Sequence, residues 1–185
     1  MRELTIKIEI LDYWHSGTGR GRGPVLDAEA SRTPAGLPYL PGKTVRGLVR
    51  EGVQQAEDAR LVPAGTVLGL FGKADVGGKL RVSDATLGRE YEQWILAEGR
   101  ELAETLFDQI SATAINGKTG QVEDQTLRTI EVALPVTLTA VMHVADDHPD
   151  ASRHLEAGMG FIRGLGTQRR RGLGRARFTL EEEAS

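Results

Sequence analysis

Cysteine is absent from this 185-residue chain. That removes disulfides, a thiol nucleophile and zinc–thiolate sites, and gives no sign of an oxidising compartment. Long apolar runs are absent as well: the N-terminal MRELTIKIEI alternates, and no stretch approaches the ~20 apolar residues that a spanning helix needs. The expected setting is therefore cytoplasmic, with no membrane partner. A global excess of positive charge is also lacking, since the formal net charge is −3 and the pI is near 5.9. This argues against a surface that is basic all round. The length suits one domain, residues 1–185, with a sizeable core.

Charge is instead sorted by location. Residues 163–177 hold six arginines and no acid, whereas Glu181, Glu182 and Glu183 follow almost at once. A second basic stretch, GLPYLPGKTVRGLVR at 36–50, begins with a stiff approach in which Pro38 and Pro41 bias Leu37 and Leu40 towards extended geometry. From Lys43 the pattern becomes helical: Val45, Leu48, Val49 and Val53 make one apolar stripe, and Lys43, Arg46 and Arg50 line another side. Those like charges repel beside a helix N-terminus, so an anion is needed to make the arrangement favourable. Gly42 and the free N–H groups of the first turn complete an expected phosphate seat; a solvated basic face is the plainer alternative.

Two glycine-rich loops carry further arginines. HSGTGRGRGPVLD at 15–27 holds Arg20 and Arg22 and ends at Asp27, whose carboxylate can bind a divalent ion or take a turn or capping role. GLGTQRRRGLGRARF at 164–178 sets Gly164, Gly166, Gly172 and Gly174 around Arg169, Arg170 and Arg171, with Arg175 just beyond. Guanidinium forks bind phosphate bidentately, and glycines let the backbone approach it. The loop fits neither a dinucleotide fingerprint nor a P-loop, because no GK[ST] ends it.

The remaining elements follow from periodicity. Leu4, Ile6, Ile8 and Ile10 predict a strand with one buried face. Residues 61–72 read as a packed connection and 79–87 as a short strand. Residues 91–107 read as one helix with Tyr91, Ile95, Leu102 and Leu106 on its face. Residues 112–116 read as a strand, 117–125 as an exposed polar loop and 127–144 as the strongest β signal, with Pro135 at a strand start or irregularity. Asp150 is the expected cap of a helix presenting Leu155, Met159 and Ile162 and ending at Gly164. The fold class is α+β, compatible with a ferredoxin-like (RRM-like) βαββαβ core enlarged by an insertion between 88 and 125. Sheets of this kind and their loops often bind single-stranded RNA.

Taken in order, LDAEASRTP, GLPYLPGKTVRGLVR, LFG, LRVSDATL, TAINGKTGQVEDQTLRTIEV and GLGTQRRRGLGRARF resemble the RAMP superfamily of CRISPR-associated proteins over nearly the whole chain. Within it the chain is most similar to the backbone subunits of type III effector complexes. The resemblance implies binding of guide RNA and target RNA, contact with other effector subunits, self-association along the RNA, and a role in antiviral defence. It implies that residues 164–175 contact the RNA backbone, supported by Lys43, Arg46 and Arg50, and that residues 113–131 project a hairpin between guide and target. It places Asp27 where such subunits carry an aspartate for metal-dependent cleavage, with Mg²⁺ as the expected cofactor. Three alternatives stay open: an RNA-binding subunit that does not cut, a guide-RNA processing endoribonuclease using His15, and a protein-interaction scaffold whose basic loops meet acidic neighbours. His143, His148 and His154 lie in or beside expected elements, where capping or exposure accounts for them.

Overall fold

The computed structural model describes residues 1–21, 26–73, 78, 80–99, 101–113 and 127–181. Its elements run β1 (Arg2–Ile10), α1 (Gly42–Asp58), α2 (Thr66–Phe71), β2 (Leu80–Val82), α3 (Arg89–Glu98), α4 (Glu101–Glu104), β3 (Phe107–Ala112), β4 (Arg128–Ala133), β5 (Thr137–Val144), α5 (Ala151–Met159) and β6 (Ala176–Glu181). The class is α+β with antiparallel sheets. The larger sheet has the order β2-β5-β1-β6, and every neighbouring pair in it is antiparallel. β3 and β4 form a second, two-stranded sheet.

The alternation of β1 decides which face of the larger sheet is covered. Leu4, Ile6, Ile8 and Ile10 are buried, as are their β5 counterparts Leu138, Ala140, Met142 and Val144. Val45, Leu48, Val49 and Val53 of α1 join them in one core with Leu155 and Met159 of α5. α1 and α5 approach so closely that no side chain fits between them at the crossing: a Cβ on Gly158 would stand 2.5 Å from Val53 Cγ2 and 2.7 Å from Val53 N. Gly52 is equally constrained by the Gly158 carbonyl.

The opposite face carries Thr5, Lys7 and Glu9 of β1, paired in register with Val141, Thr139 and Thr137 of β5. Arg177 crosses to Glu9 at 3.4 Å, and His143 sits 3.7 Å from Glu3. No Phe, Tyr or Trp of these strands lies on that face among the described residues, so it offers no such ring for stacking a base.

The second sheet is extended by chain from the first glycine-rich loop. Ala28 bridges Ile130 in parallel, Gly17 bridges Ala30, and Thr18 N donates to Glu29 O at 3.1 Å. Trp14 ties the two sheets together, buried in the main core while its Nε1 donates to Leu134 O at 2.9 Å.

Several expectations change. Residues 61–72 contain the helix α2, with Val67, Leu70 and Phe71 buried. The single helix over 91–107 is instead α3 and α4, separated at Gly99, and Phe107 already belongs to β3. Of its expected apolar stripe only Ile95 is buried, while Tyr91 and Leu102 are exposed. The β signal over 127–144 divides at Pro135 into β4 and β5, which sit in different sheets. Asp150 occupies the N-cap of α5 without a side-chain capping bond, and α5 ends at Met159 rather than at Gly164. Most of residues 112–125, Arg22 and the acids at 182 and 183 lie outside the described residues.

Candidate nucleic-acid interface

The last glycine-rich loop hangs from β6 and the end of α5 by backbone bonds. Gly164 bridges Arg175, and Leu165 N donates to Gly174 O at 2.8 Å. Gly174 N donates to Tyr13 O at 2.7 Å and Thr167 N to His15 O at 2.9 Å, which docks this loop on the first one. Gly166 and Gly174 both have positive φ, 75° and 68°, and a Cβ on either would collide with a backbone carbonyl, that of His15 or of Leu165. These two glycines thus hold the protein's own backbones together. Beyond them the chain turns at residues 168–171, and Arg170 and Arg171 are exposed at the tip.

Arg169 points back to the helix. Its Nη2 reaches Glu51 of α1 at 2.8 Å, a half-exposed ion pair of the kind worth little by itself. Between this loop, the first loop and α1 lies an open groove of about 430 Å³, walled by His15, Gly17, Thr44, Gly47, Gly166 and Arg169 among others. A smaller cavity of about 150 Å³ adjoins it between α1 and residues 161–170, with Arg163, Arg169 and Arg170 on its wall.

The groove faces the Thr44, Gly47 and Glu51 side of α1, not the basic row read from the sequence. Lys43 and Arg50 are exposed further round the helix. Arg46 turns away to the far flank, donating from Nη2 to Phe71 O at 2.7 Å and from Nε to Leu80 O at 3.3 Å, with its guanidinium 5.5 Å from the Phe71 ring. The α1 N-terminus is also occupied: Gly42 N donates to Asp84 Oδ1 at 2.7 Å. A Cβ on Gly42 would stand 2.5 Å from Val82 O, so β2 is what comes close there. The signal that finds the groove side is Gly47, a helical glycine with open space where a Cβ would be.

His15 is 3 % exposed and its Nδ1 lies 2.6 Å from the Glu131 carbonyl. Glu131 itself is buried, and its Oε2 accepts from Ala30 N at 2.9 Å and from Arg32 Nη1 at 2.5 Å. Arg32 further bonds Glu104 at 3.0 Å and stacks 3.6 Å over Phe107. Burial alone works against the Arg32 charge, but the hydrogen bonds it donates to Glu131 and Glu104 outweigh it and raise its pKa above the ordinary arginine value.

Asp27 is exposed beside β4. Its backbone N donates to Thr129 O at 2.8 Å and its Oδ2 accepts from Thr129 N at 2.7 Å. Among the described residues no three His, Cys, Asp or Glu side chains group to hold a metal ion. Mg²⁺ is commonly held by one or two carboxylates together with water and substrate phosphates, so a lone Asp27 fits that mode and not a protein-only cage.

The profile of one protein family matches residues 7–177, and that family is the RAMP superfamily. The chain belongs to the RAMP superfamily. No curated protein matches it. Among solved structures, this RAMP protein is similar to a chain of the Type III-B Cmr-beta complex bound to cognate target RNA, with a TM-score of 0.73 and 10% identity over 97% of both chains. It is likewise similar to a chain of the apo state of Type III-B Cmr-beta, with a TM-score of 0.73 and 11% identity over 98% of both. At such low identity the shared property is the fold. Among the described residues no helix is long and apolar enough to cross a membrane.

Proposed function

We propose that this RAMP protein is a guide-RNA-binding backbone subunit of a type III CRISPR effector complex, meeting target RNA and other effector subunits and associating with its own copies along the RNA. The observation that carries the reading is the arginine cluster at 169–171, held on a hydrogen-bonded glycine frame beside an open groove. Arginine forks and glycine-flanked backbone are the chemistry that tracks phosphates. Membership of the RAMP superfamily and the fold shared with Cmr-beta chains support it. The β2-β5-β1-β6 order, with α1 between β1 and β2 and α5 between β5 and β6, supports reading the larger sheet as a ferredoxin-like core.

In this reading the subunit cuts bound target RNA, and Asp27 would help to hold the Mg²⁺ needed to cut at the scissile phosphate. The ion, when bound, would neutralise charge developing on that phosphate. A subunit that binds without cutting is the second reading, favoured by the commitment of Asp27 Oδ2 to Thr129 N.

The experiment is binding of a labelled single-stranded RNA across a salt series. Each phosphate contact to a single strand contributes a slope of roughly 0.7 log units of affinity per log unit of salt. Replacing Arg169, Arg170 and Arg171 together by alanine is expected to flatten the slope by up to about 2. An unchanged slope would remove this loop from the interface, and no binding at low salt would favour the scaffold reading.

A further inference from the structure

The groove that Arg169 lines is also lined by a histidine with one committed nitrogen and one that no described group bonds. A carbonyl only accepts, so the 2.6 Å contact places a proton on His15 Nδ1, which donates to Glu131 O. In the neutral ring Nε2 is then left as an acceptor. No described group donates to it, and His15 lines the groove. The residue that stands over Nε2 is Gly17: a Cβ there would lie 2.7 Å from Nε2 and cover it. With glycine at 17, no side chain of that residue covers the nitrogen. The ring is buried and held by its Nδ1 bond to Glu131, while Thr167 N bonds the His15 carbonyl.

We infer that His15 Nε2 reads the ribose 2′-OH of a strand lying in this groove, and so makes the site selective for RNA over DNA. The inference rests on the RNA reading above and adds its sugar specificity. The 2′-OH is the group that distinguishes the two polymers, and it can donate to an acceptor held at fixed geometry. Arg169, which lines the same groove, supplies the cation for an adjoining phosphate. His15 is thus a specificity-determining contact, and Gly17 is the residue that keeps it open.

The test uses fluorescence anisotropy at pH 8 with the full chain and two oligonucleotides of one sequence, RNA and 2′-fluoro RNA. Fluorine keeps the RNA sugar pucker and cannot donate. One such bond corresponds to roughly a five- to tenfold preference for RNA. His15→Ala and Gly17→Ala are each expected to abolish that preference while the salt slope stays as in the wild type. Gly17→Ala retains the histidine and its Nδ1 donor, so it carries the test if His15→Ala does not fold. A preference that survives in Gly17→Ala overturns the inference. Equal, salt-sensitive binding of both polymers by the wild type overturns it too, while leaving phosphate binding in place. Absence of binding to either removes the RNA reading and this inference with it.

Discussion

Glu131 is a single residue to which two separate segments, 30–32 and the His15 loop, are fastened. Its carboxylate takes Arg32 and the backbone of Ala30, and its carbonyl takes His15, residues 99, 101 and 116 positions away. Losing one partner of a largely buried pair leaves the other charge uncompensated. Glu131→Ala is therefore expected to cost about 3 kcal/mol, a fall of about 6–12 °C in Tm for a chain of this size, measured by thermal unfolding. Arg32 brings no pH dependence in ordinary buffers: its raised pKa means that its stabilising contribution is complete below the unfolded value and is lost only as pH rises through the still higher folded one. Asp27 is a different case, exposed and with its carboxylate held by one backbone N–H. Asp27→Ala is expected to leave RNA affinity within about twofold and to lower magnesium-dependent cutting by at least about 100-fold; retained cutting would make the residue structural. Asp27, His15 and the arginine tip were legible in the sequence as chemistry-bearing residues in glycine loops. The Glu131 hub was not, because its partners lie about a hundred residues apart and periodicity sees only neighbours on one helix or strand.

At the scale of elements, legibility followed the strength of the apolar period. β1 and α1 have clean stripes and lie where those stripes put them, with every predicted apolar residue of both buried. The helix expected over 91–107 fails because Gly99, at φ 115°, breaks it, and because the stripe mixes buried Ile95 with exposed Tyr91. The basic row on α1 fails differently: charge spacing shows which residues share a side, not which side a groove faces. Glycines within the helices separate the two roles. Gly158→Ala would force α5 from α1 and is expected to cost about 2 kcal/mol, lowering Tm by about 4–8 °C. Gly47→Ala meets nothing within 4 Å and improves helix propensity, so a gain of about 0.5–1 kcal/mol is expected. The same pair of scanning-calorimetry runs checks both signs. If Gly47→Ala also weakens RNA binding, the missing side chain belongs to the groove and not to helix economy.

Across the whole molecule, a net charge of −3 has to coexist with an anion-binding surface. The structure shows how: acids outside the groove pair with arginines outside it, Glu9 with Arg177 and Asp12 with Arg175, while the arginine tip is left exposed. Glu51 is the exception, a carboxylate on the groove wall bonded to Arg169 through both oxygens at 2.8 and 3.0 Å. A phosphate entering the groove must compete with it. The pair is solvent-exposed enough that breaking it costs about 1 kcal/mol or less, so the fold does not depend on it. Glu51→Gln removes one negative charge from the wall and frees the guanidinium. It is expected to tighten RNA binding about three- to tenfold at low salt, with the gain fading towards about 1 M, where the Debye length falls to roughly 3 Å. Unchanged Tm with tighter, more salt-sensitive binding would identify Glu51 as a competitor for Arg169. Weaker binding would mean instead that Glu51 holds Arg169 in the posture that meets the phosphate, and the arginine loop would then act as a preset clamp rather than a mobile one.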